Sequence, residues 1–391
     1  MTPQSTLSPF VFQFNTPLKD VSAGDWNALV SDHNPFVSHE FLEALETHHC
    51  ASERFGWVAH HLTVYEDHQL IAALPLYEKH NTYGEFVFDQ SWAHAWQSVG
   101  LNYFPKLVSS VPYSPVTGPR LLIRGDVDEA KKQALWLQMV HHTQQFALQN
   151  GMSGWHCLFA NKNEQAWLNT QPNLYIRNDV HFHWFNQNYA SFDDFLEQLT
   201  PKKRKNIRQE RKAIAQSGIN IRVLDGHSAS DQDWSDFAFF YHKTFTDKWS
   251  TPTLNKAFFK AVAQARPSQI VLVLADNQAG TCIAGSLMYR SDRVLYGRHW
   301  GCTQEVKHLH FEACYYQGIE YAIKHGLQLF EPGAGGEHKI ARGFVPVKTQ
   351  SAHWLAPNPF HEALEHFIKE EHSIMHDYFL ENQARSPYKT S

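Results

Sequence analysis

The sequence lacks the long apolar runs of a membrane protein and the paired cysteines of a small secreted one. No stretch of its 391 residues reaches the roughly 18 apolar residues that a transmembrane helix needs. The opening segment, MTPQSTLSPFVFQFN, has no basic part followed by an apolar part, so we expect no secretory signal. The 5 cysteines are odd in number and form no Cys-x-x-Cys, which is typical of reduced thiols and predicts a cytoplasmic protein.

The sequence also carries little excess charge. Its formal net charge is −5 and 19% of its residues are charged, which excludes a generally basic nucleic-acid-binding surface. The hydrophobic share of 43% is typical of a globular protein. A chain of 391 residues is too long for one ordinary core, so two domains are expected. Aromatic residues (14%) and histidines (26) are plentiful, which favours large cores or a cleft that stacks on a ligand.

Strand and helix patterns alternate in the N-terminal half. Residues 57–65 and 70–77 predict the two strands of a hairpin, because polar residues separate two runs rich in apolar side chains. A long helix is predicted over 128–149, with Gly151 closing it. A short apolar strand over 155–160 follows this helix.

The C-terminal half repeats this order more clearly. Three antiparallel strands, a helix with one apolar face, a further strand and a last strand are predicted at 270–275, 282–289, 293–300, 309–325, 327–331 and near 348–355. A glycine-rich loop lies between the last two strands. We interpret the chain as two copies of a β-β-β-α-β unit, an α/β protein with domains at 1–187 and 188–391.

A strongly basic helix is predicted at the start of the second half. The pattern Ser191-x-x-Asp194 is typical of a capping box that opens one helix. Thr200-Pro201 then opens a second helix, which ends at Gly218. Its first part, KKRKNIRQERK, holds seven basic residues and a single glutamate.

The arginines and lysines of this helix take different faces. At about 100° per residue, Arg204, Arg208 and Arg211 share one stripe beside the apolar Ile207 and Ile214. Three lysines point away toward solvent, namely Lys202, Lys205 and Lys212. A partly desolvated guanidinium binds phosphate or carboxylate well, so we expect the arginines to hold an anionic part of a ligand. The alternative is a solvated charged face.

The segment FEPGAGGEHKIARGF is the most unusual in the chain. Its glycines permit close backbone approach and positive φ. It leaves the C-terminal end of a predicted strand, and functional residues concentrate on loops held by such a scaffold. Its charged residues are Glu331, Glu337, His338, Lys339 and Arg342. A salt-bridged surface turn is the structural alternative.

A second polar cluster adjoins the strand at 293–300. It contains His299, which we expect to bind substrate, and the pattern His308-x-His310-x-Glu312. That spacing converges on a metal only on a strand, and this stretch runs into a helix, so we expect hydrogen-bonded histidines and no metal site. Cys302 has no obvious base partner in the sequence, and a thiol nucleophile is not expected.

Several blocks of the sequence resemble a bacterial family of predicted N-acyltransferases labelled as peptidoglycan biosynthesis or recognition proteins. The resemblance covers nearly the whole chain and rests on NPFVSHEFLEALE, GEFVFDQSWA, PVTGPRLL, LHFEACYYQGIEYAI and GEHKIARGF. That family is similar in turn to the Fem-type peptidyl transferases, which have two GNAT-like domains. The resemblance therefore implies an α/β fold of two tandem GNAT-like domains, with mixed, largely antiparallel central sheets flanked by helices. It implies a degenerate first domain and an active site in the second.

The resemblance also implies where the chemistry lies. The basic helix ending in glycine is similar to a Fem-type element, and Lys339 matches the lysine that orients the donor and stabilises charge developing in acyl transfer. GNAT enzymes that use acyl-CoA carry a Q/R-x-x-G-x-G/A loop at a helix N-terminus. This sequence has no glycine between Gly301 and Leu309. The acyl donor therefore stays open between aminoacyl-tRNA and acyl-CoA, and no permanently bound cofactor is expected.

These observations predict an enzyme that moves an acyl or aminoacyl group onto an amine acceptor such as a cell-wall precursor. Lys339 is expected to stabilise charge, with Glu331 or His338 assisting the amine's proton. Tyr315 or Tyr316 is expected to serve as acid, with core packing as the alternative for Tyr315. The expected substrate-binding residues are Arg204, Arg208, Arg211, Tyr315, His299 and Arg342. The rival hypotheses are a non-catalytic binder of RNA or peptidoglycan precursor and, less favoured, a metal hydrolase.

Overall fold

The structure is a computed structural model that describes residues 10–15 and 17–389, and its contacts divide the chain into two units. Unit 1 contains the described residues up to 113 together with 117–177 and 350–365. Unit 2 contains 114–116, 178–349 and the described residues from 366 onward. Unit 1 is not a continuous segment because residues 351–355 pair with one of its strands. The predicted boundary after residue 187 would divide the chain into two domains that fold separately, and it stays a prediction.

Unit 1 contains two sheets and five helices that lie wholly within its described residues. Its strands are β1 (Phe10–Gln13), β2 (Trp57–Ala59), β3 (Leu62–Glu66), β4 (Gln69–Leu74), β5 (Tyr77–Lys79), β6 (Lys106–Ser109), β7 (Leu122–Ile123) and β8 (Gly154–Leu158). Its helices are α1 (Ala23–Asn27), α2 (His39–Thr47), α3 (Gln90–Ser98), α4 (Glu129–Gln149) and α5 (Lys162–Leu168).

The strands of unit 1 are shared between its two sheets. One sheet has the order β1-β3-β4-β7, and its β3–β4 hairpin confirms the predicted one. The prediction extended that hairpin back to Trp57, but β2 is a separate strand that pairs with β5 in the second sheet. In the second sheet β6 lies antiparallel to β5 and parallel to β8. The predicted long helix is confirmed as α4, with Asp128 as its N-cap and Gly151 at φ +66° just beyond its end.

Unit 2 contains the remaining strands and helices of the described residues. Its strands are β9 (Tyr175–Phe185, which begins in unit 1), β10 (Asn220–Leu224), β11 (Ile270–Asp276), β12 (Cys282–Arg290), β13 (Val294–Cys302), β14 (Leu329–Glu331) and β15 (Val345–Leu355, which ends in unit 1). Its helices are α6 (Phe192–Gln198), α7 (Pro201–Gln216), α8 (Asp231–Thr246), α9 (Lys256–Ala265), α10 (Leu309–Phe311), α11 (Gln317–Lys324) and α12 (His361–Ala384, which begins in unit 1).

The strand order of unit 2 agrees with the sequence pattern. Strands β10, β11, β12 and β13 are successively antiparallel, as predicted for the last three. The chain then runs through α10 and α11 to β14, which lies parallel to β13 and antiparallel to β9. The predicted helix over 309–325 is interrupted by a π-helical turn at Glu312–Tyr316, and such turns occur often at functional sites. Gly326 has φ +65° and closes the helix as predicted.

Each unit has its own hydrophobic core. The core of unit 1 forms around α4 and includes Leu135, Trp136 and Trp155. The core of unit 2 lies between the sheet and the helices α6 and α11, and includes Trp184 and Phe330. None of the helices in the described part of the chain combines the length and the apolar composition of a membrane-spanning segment.

Candidate active site

Strands β13 and β14 lie side by side and then separate. Their parallel pairing runs from Val294 opposite Leu329 to Tyr296 opposite Glu331. Beyond that point β13 continues to Cys302, whereas the chain leaves β14 into the glycine-rich loop. In α/β proteins, ligands bind beyond the carboxyl ends of parallel strands. The opening between these two strands is therefore the expected position of a ligand-binding site.

A β-bulge in β13 determines which side chains face this opening. Leu287 lies opposite His299 and Met288 opposite Gly297, so Arg298 is the extra residue. Beyond the bulge, Trp300 makes a ring contact with His310 at 5.3 Å between centroids. His299 points to the other face of the sheet.

Arg298 and Glu331 join the two strands where they separate. Arg298 Nη2 donates to Glu331 Oε1 at 2.6 Å, and each side chain is only 2% exposed. Arg298 Nη1 also donates to the carbonyl oxygens of Gly297 and Glu331, at 2.6 and 3.2 Å. The second carboxylate oxygen of Glu331 lies 3.9 Å from His183 Nε2. Because Arg298 holds the Glu331 carboxylate, that group is better placed to fix the opening than to move a proton.

Lys339 is buried in the loop that follows β14. It lies in a short 3-10 helix, Glu337–Arg342, and is only 3% exposed. Its Nζ donates to the carbonyl oxygens of Gly333 and Ala334 at 2.8 and 3.1 Å. Burial, with a smaller contribution from Arg298, lowers the pKa of Lys339 to about 7. An ammonium has three N–H donors, so the charged form keeps one that no described residue accepts.

A tyrosine and two histidines line the same region. The Tyr315 hydroxyl lies 2.9 Å from His338 Nε2, and His310 makes ring contacts with both residues. Burial, then the charges of Lys339 and Arg342, lowers the pKa of His338. Burial raises the pKa of Tyr315 above its usual range. Both side chains are therefore uncharged, and the hydrogen bond joins a neutral imidazole to a protonated phenol.

Tyr316 takes a different environment from Tyr315. It is fully buried, and its hydroxyl donates to Glu210 Oε2 on α7. Arg342 donates to both carboxylate oxygens of Glu210, at 2.9 and 3.1 Å, and its guanidinium lies 3.3 Å from the ring centroid of Phe311. These contacts connect the 3-10 helix that carries Lys339 to the basic helix α7. Tyr316 and Arg342 thus hold that helix against α7, and Arg342 Nε is buried without a hydrogen-bond partner among the described residues.

The arginines of α7 contact acidic side chains of unit 2. Arg204 and Arg208 both reach Glu197, and Arg208 also reaches Asp193 at 3.1 Å. Arg211 reaches Glu312 at 3.1 Å and Glu320 at 2.7 Å. Ile207 and Ile214 are the buried residues of this helix, as the sequence predicted. The three lysines expected at the solvent face, Lys202, Lys205 and Lys212, are exposed.

The other candidates from the sequence have protein partners of their own, and of these His299 lies apart from the opening. His299 contacts the rings of Tyr241 and Phe259 at 5.1 and 5.9 Å, and burial lowers its pKa to about 3. The residues of the His-x-His-x-Glu pattern have different partners: Glu210 lies 3.9 Å from His308, Trp300 packs on His310, and Glu312 accepts from Arg211 and Gln317. The five cysteines are free. Burial raises the pKa of Cys282 and Cys314 to about 12, unlike that of a thiol nucleophile.

Three residues of the site were missed in the sequence. His181 and His183 alternate along β9 with the core residues Phe182 and Trp184, so they share the other face of that strand. Burial lowers the pKa of His181 to about 4. The Glu331 carboxylate raises this pKa, whereas His183, Arg298 and Lys339 lower it further. The alternation in VHFHW was visible in the sequence, whereas the bulge that turns Arg298 toward Glu331 was not.

Comparison with known proteins identifies the family. Among solved structures, FemX aligns with a TM-score of 0.50 and 10% identity, over 83% of this chain and 93% of FemX. The C-terminal domain of a putative lysylphosphatidylglycerol synthetase from Agrobacterium fabrum aligns with a TM-score of 0.51 and 8% identity, over 90% of this chain and 96% of that domain. A tandem GNAT protein from the clavulanic acid biosynthesis pathway aligns with a TM-score of 0.43 and 10% identity, over 89% of this chain and 99% of its own.

At these identities the structural matches show the fold, which is the tandem GNAT-like α/β fold expected from the resemblance. No curated protein sequence matches this chain. The profile of the FemAB-like family, described as peptidoglycan biosynthesis/recognition, matches residues 17–390. The chain belongs to the FemAB-like family of peptidoglycan biosynthesis/recognition proteins.

Proposed function

We propose that unit 2 transfers an acyl or aminoacyl group to a primary amine at the carboxyl ends of β13 and β14. The observation that carries this proposal is the environment of Lys339. Two carbonyl oxygens fix its Nζ, and the charged form keeps one donor without a protein partner among the described residues. A fixed donor in a site of low dielectric is what the oxyanion of a tetrahedral acyl-transfer intermediate requires.

The side chains around Lys339 can complete the reaction. The amine nitrogen attacks the acyl carbonyl carbon, and the carbonyl oxygen, now negatively charged, accepts a hydrogen bond from the Lys339 ammonium. The bond to the leaving group breaks as the Tyr315 hydroxyl gives that group its proton. His338, whose Nε2 lies 2.9 Å from the Tyr315 oxygen, accepts the proton lost by the amine on Nδ1 and gives its Nε2 proton to the tyrosine. The products are an amide and the protonated leaving group, so atoms and charge balance.

The substrates are proposed from the family and from the charge of α7. The FemAB-like description points to a peptidoglycan precursor as the amine acceptor. The fold neighbour named as a putative lysylphosphatidylglycerol synthetase favours an aminoacyl donor over a simple acyl donor. The exposed lysines of α7 suit a polyanion such as aminoacyl-tRNA. A cytoplasmic location and no permanently bound cofactor belong to the same proposal.

A transfer assay by intact mass tests this function. The full chain is incubated with aminoacyl-tRNA or acyl-CoA donors and a mixture of amine-bearing cell-wall precursors, and the acceptor masses are read before and after. The proposal predicts an added acyl or aminoacyl mass with the wild-type protein and with Lys348→Ala, which changes an exposed lysine of β15. Lys339→Ala should give no added mass. Retained precursor or RNA binding without any transfer by wild type would instead favour the non-catalytic binder.

A further inference from the structure

Trp249, on the turn that follows α8, exposes almost its whole side chain to solvent. It is 99% exposed, whereas tryptophans usually bury most of their large apolar surface. The turn is a Schellman motif: the Trp249 N–H donates to the Thr246 carbonyl oxygen at 3.1 Å, and the Ser250 N–H donates to that of Phe245 at 2.9 Å. Trp249 occupies its left-handed position, with φ +53°. Two hydrogen bonds thus hold an exposed ring on a defined turn.

Glycine is the usual residue at this position of a Schellman turn, because a Cβ at positive φ comes too close to the backbone. The turns with the same hydrogen bonds after α3, α4 and α11 have Gly100, Gly151 and Gly326 there, at φ +75°, +66° and +65°. The turn after α2 has His49, a polar residue type that tolerates this conformation better. Trp249 has neither the conformational freedom of glycine nor buried surface that offsets the strain. A role in binding accounts for both features.

The end of α8 borders the opening between β13 and β14. The pairing of the two strands ends at Tyr296, and β13 continues beyond it to Cys302. On this continuing part, the Trp300 carbonyl oxygen lies 3.0 Å from the Thr244 hydroxyl of α8. Thr244 is only five residues before Trp249. The turn that carries Trp249 therefore lies at the rim of the opening.

The neighbouring Lys248 connects this turn to the lining of the opening. Lys248 is exposed, and its charge acts on His310: burial is the main cause that lowers the pKa of His310 to about 4, and Lys248 is among the smaller ones. His310 belongs to the lining because its ring packs on Trp300 and lies near His338. An exposed aromatic ring and an ammonium group thus stand together beside the opening.

A single exposed ring next to a cation suits a nucleotide. Bases of every type stack on aromatic side chains, and lysines bind the phosphates that join them. A bilayer contact needs several apolar side chains, whereas the residues around Trp249 are polar, namely Asp247, Lys248, Ser250 and Thr251. One ring on a polar turn can hold one base.

Both donors considered for acyl transfer contain adenine. In aminoacyl-tRNA the ester is on the ribose of the terminal adenosine, so the base is one sugar away from the reacting carbonyl. In acyl-CoA, pantetheine and a pyrophosphate separate the adenine from the thioester. A ring at the rim of the opening fits the first arrangement. We propose that Trp249 stacks on the terminal adenine of an aminoacyl-tRNA, with Lys248 beside the phosphate of that nucleotide. This inference rests on the proposed function and selects its donor.

RNA binding by the full chain tests the stacking. A labelled hairpin RNA that copies a tRNA acceptor stem is titrated once with its CCA end and once without the terminal adenosine. Wild type should bind the CCA hairpin about tenfold more tightly, the gain expected from one stacked base. Equal affinities for the two hairpins would overturn the proposal. Displacement of the CCA hairpin by micromolar CoA would also overturn it, in favour of an acyl-CoA donor.

Variants assign the preference for the CCA hairpin to Trp249. Trp249→Gly should bind both hairpins alike, and Trp249→Phe, which keeps an aromatic ring, should retain most of the preference. Trp249→Gly should not lower the Tm, because glycine adopts positive φ without strain and no buried ring is lost. Phe239→Ala removes another exposed ring of α8 and should bind like wild type. A full preference in Trp249→Gly, or an equal loss in Phe239→Ala, contradicts the proposal.

Stacking and transfer can fail separately. Lys339→Ala removes a group at the reacting carbonyl, so it should keep the preference for the CCA hairpin. Transfer in the intact-mass assay by a wild-type protein without that preference would overturn the stacking and leave the proposed function in place. A CCA preference in both proteins, without any transfer by wild type, would support the stacking and contradict the proposed function.

Discussion

Arg298 and Glu331 form an ion pair, with 2.6 Å between Nη2 and Oε1, at the point where β13 and β14 stop pairing. Arg298 is available for this contact because a bulge adds it to β13 without a partner on β12. The pair ties the two strands together on one side of the opening, and Lys339 lies on the loop that begins immediately beyond Glu331. The geometry of the candidate site thus depends on a buried charge pair.

Removing one member of this pair should destabilise the protein strongly. We expect Glu331→Gln to lower the free energy of unfolding by about 3–5 kcal/mol, because it leaves the Arg298 guanidinium buried without its counter-charge. Urea denaturation measures the change. The double variant Arg298→Met with Glu331→Leu should be less destabilised than Glu331→Gln alone. Equal losses of unfolding free energy in the single and double variants would show that the Arg298–Glu331 charge pair does not determine stability at this position.

Substitutions of the two adjacent tyrosines should affect activity and stability differently. Tyr315→Phe removes the hydroxyl bonded to His338, so we expect the transfer rate to fall by about 10²-fold with little change in Tm. Tyr316→Phe removes a buried hydroxyl bonded to Glu210, so we expect a lower Tm and an activity closer to wild type. Rate measurements and thermal unfolding of both variants check this. The reverse pattern would make Tyr316 the acid.

Acetyl-CoA should bind weakly, with a dissociation constant no better than about millimolar. GNAT enzymes bind the CoA pyrophosphate with successive backbone N–H groups in a glycine-rich turn before the helix. Here residues 302–308 contain no glycine, and the preceding Gly301 is used for packing: a Cβ there would lie 2.2 Å from the Phe240 carbonyl oxygen. Calorimetry with acetyl-CoA measures the affinity. Micromolar binding would contradict this prediction and indicate an acetyltransferase that uses acetyl-CoA.

Local patterns predicted much of the fold but only part of the site. The helix α4, the strands β11 to β13 and the loop around Lys339 could be recognised because their periodicity and turn residues are continuous in sequence. The bulge at Arg298 and the π-helical turn depend on how neighbouring elements pack, and neither has a sequence signal of its own. The buried ion pairs of Lys106 with Glu85 and Asp89 could not be predicted for another reason: these residues are distant in sequence and meet only in the folded unit.

Acidic neighbours should limit polyanion binding by the basic helix. Arg204 and Arg208 share the Glu197 carboxylate, which competes with any phosphate for both guanidinium groups. We expect Glu197→Gln to tighten tRNA binding severalfold at low salt, and Glu362→Gln, an exposed change on α12, to leave it unaltered.

Pairs of basic residues on α7 should contribute unequally to tRNA binding. Arg204→Ala with Arg208→Ala should weaken tRNA binding more than Lys202→Ala with Lys205→Ala, because the arginines lie beside the buried stripe. Filter binding at several salt concentrations measures all of these variants. Equal losses from both pairs would indicate diffuse charge attraction in place of a defined contact.

The pH dependence of acyl transfer in Lys339 variants tests the central claim most directly. With a pKa of about 7, the Lys339 ammonium loses its proton as pH rises through neutrality, so wild-type kcat/KM should fall above that pH by up to about tenfold per unit. Arginine stays charged, so any activity retained by Lys339→Arg should lack this alkaline decline, and Lys339→Ala should be inactive. An unchanged alkaline limb in Lys339→Arg, or full activity in Lys339→Ala, would contradict the account.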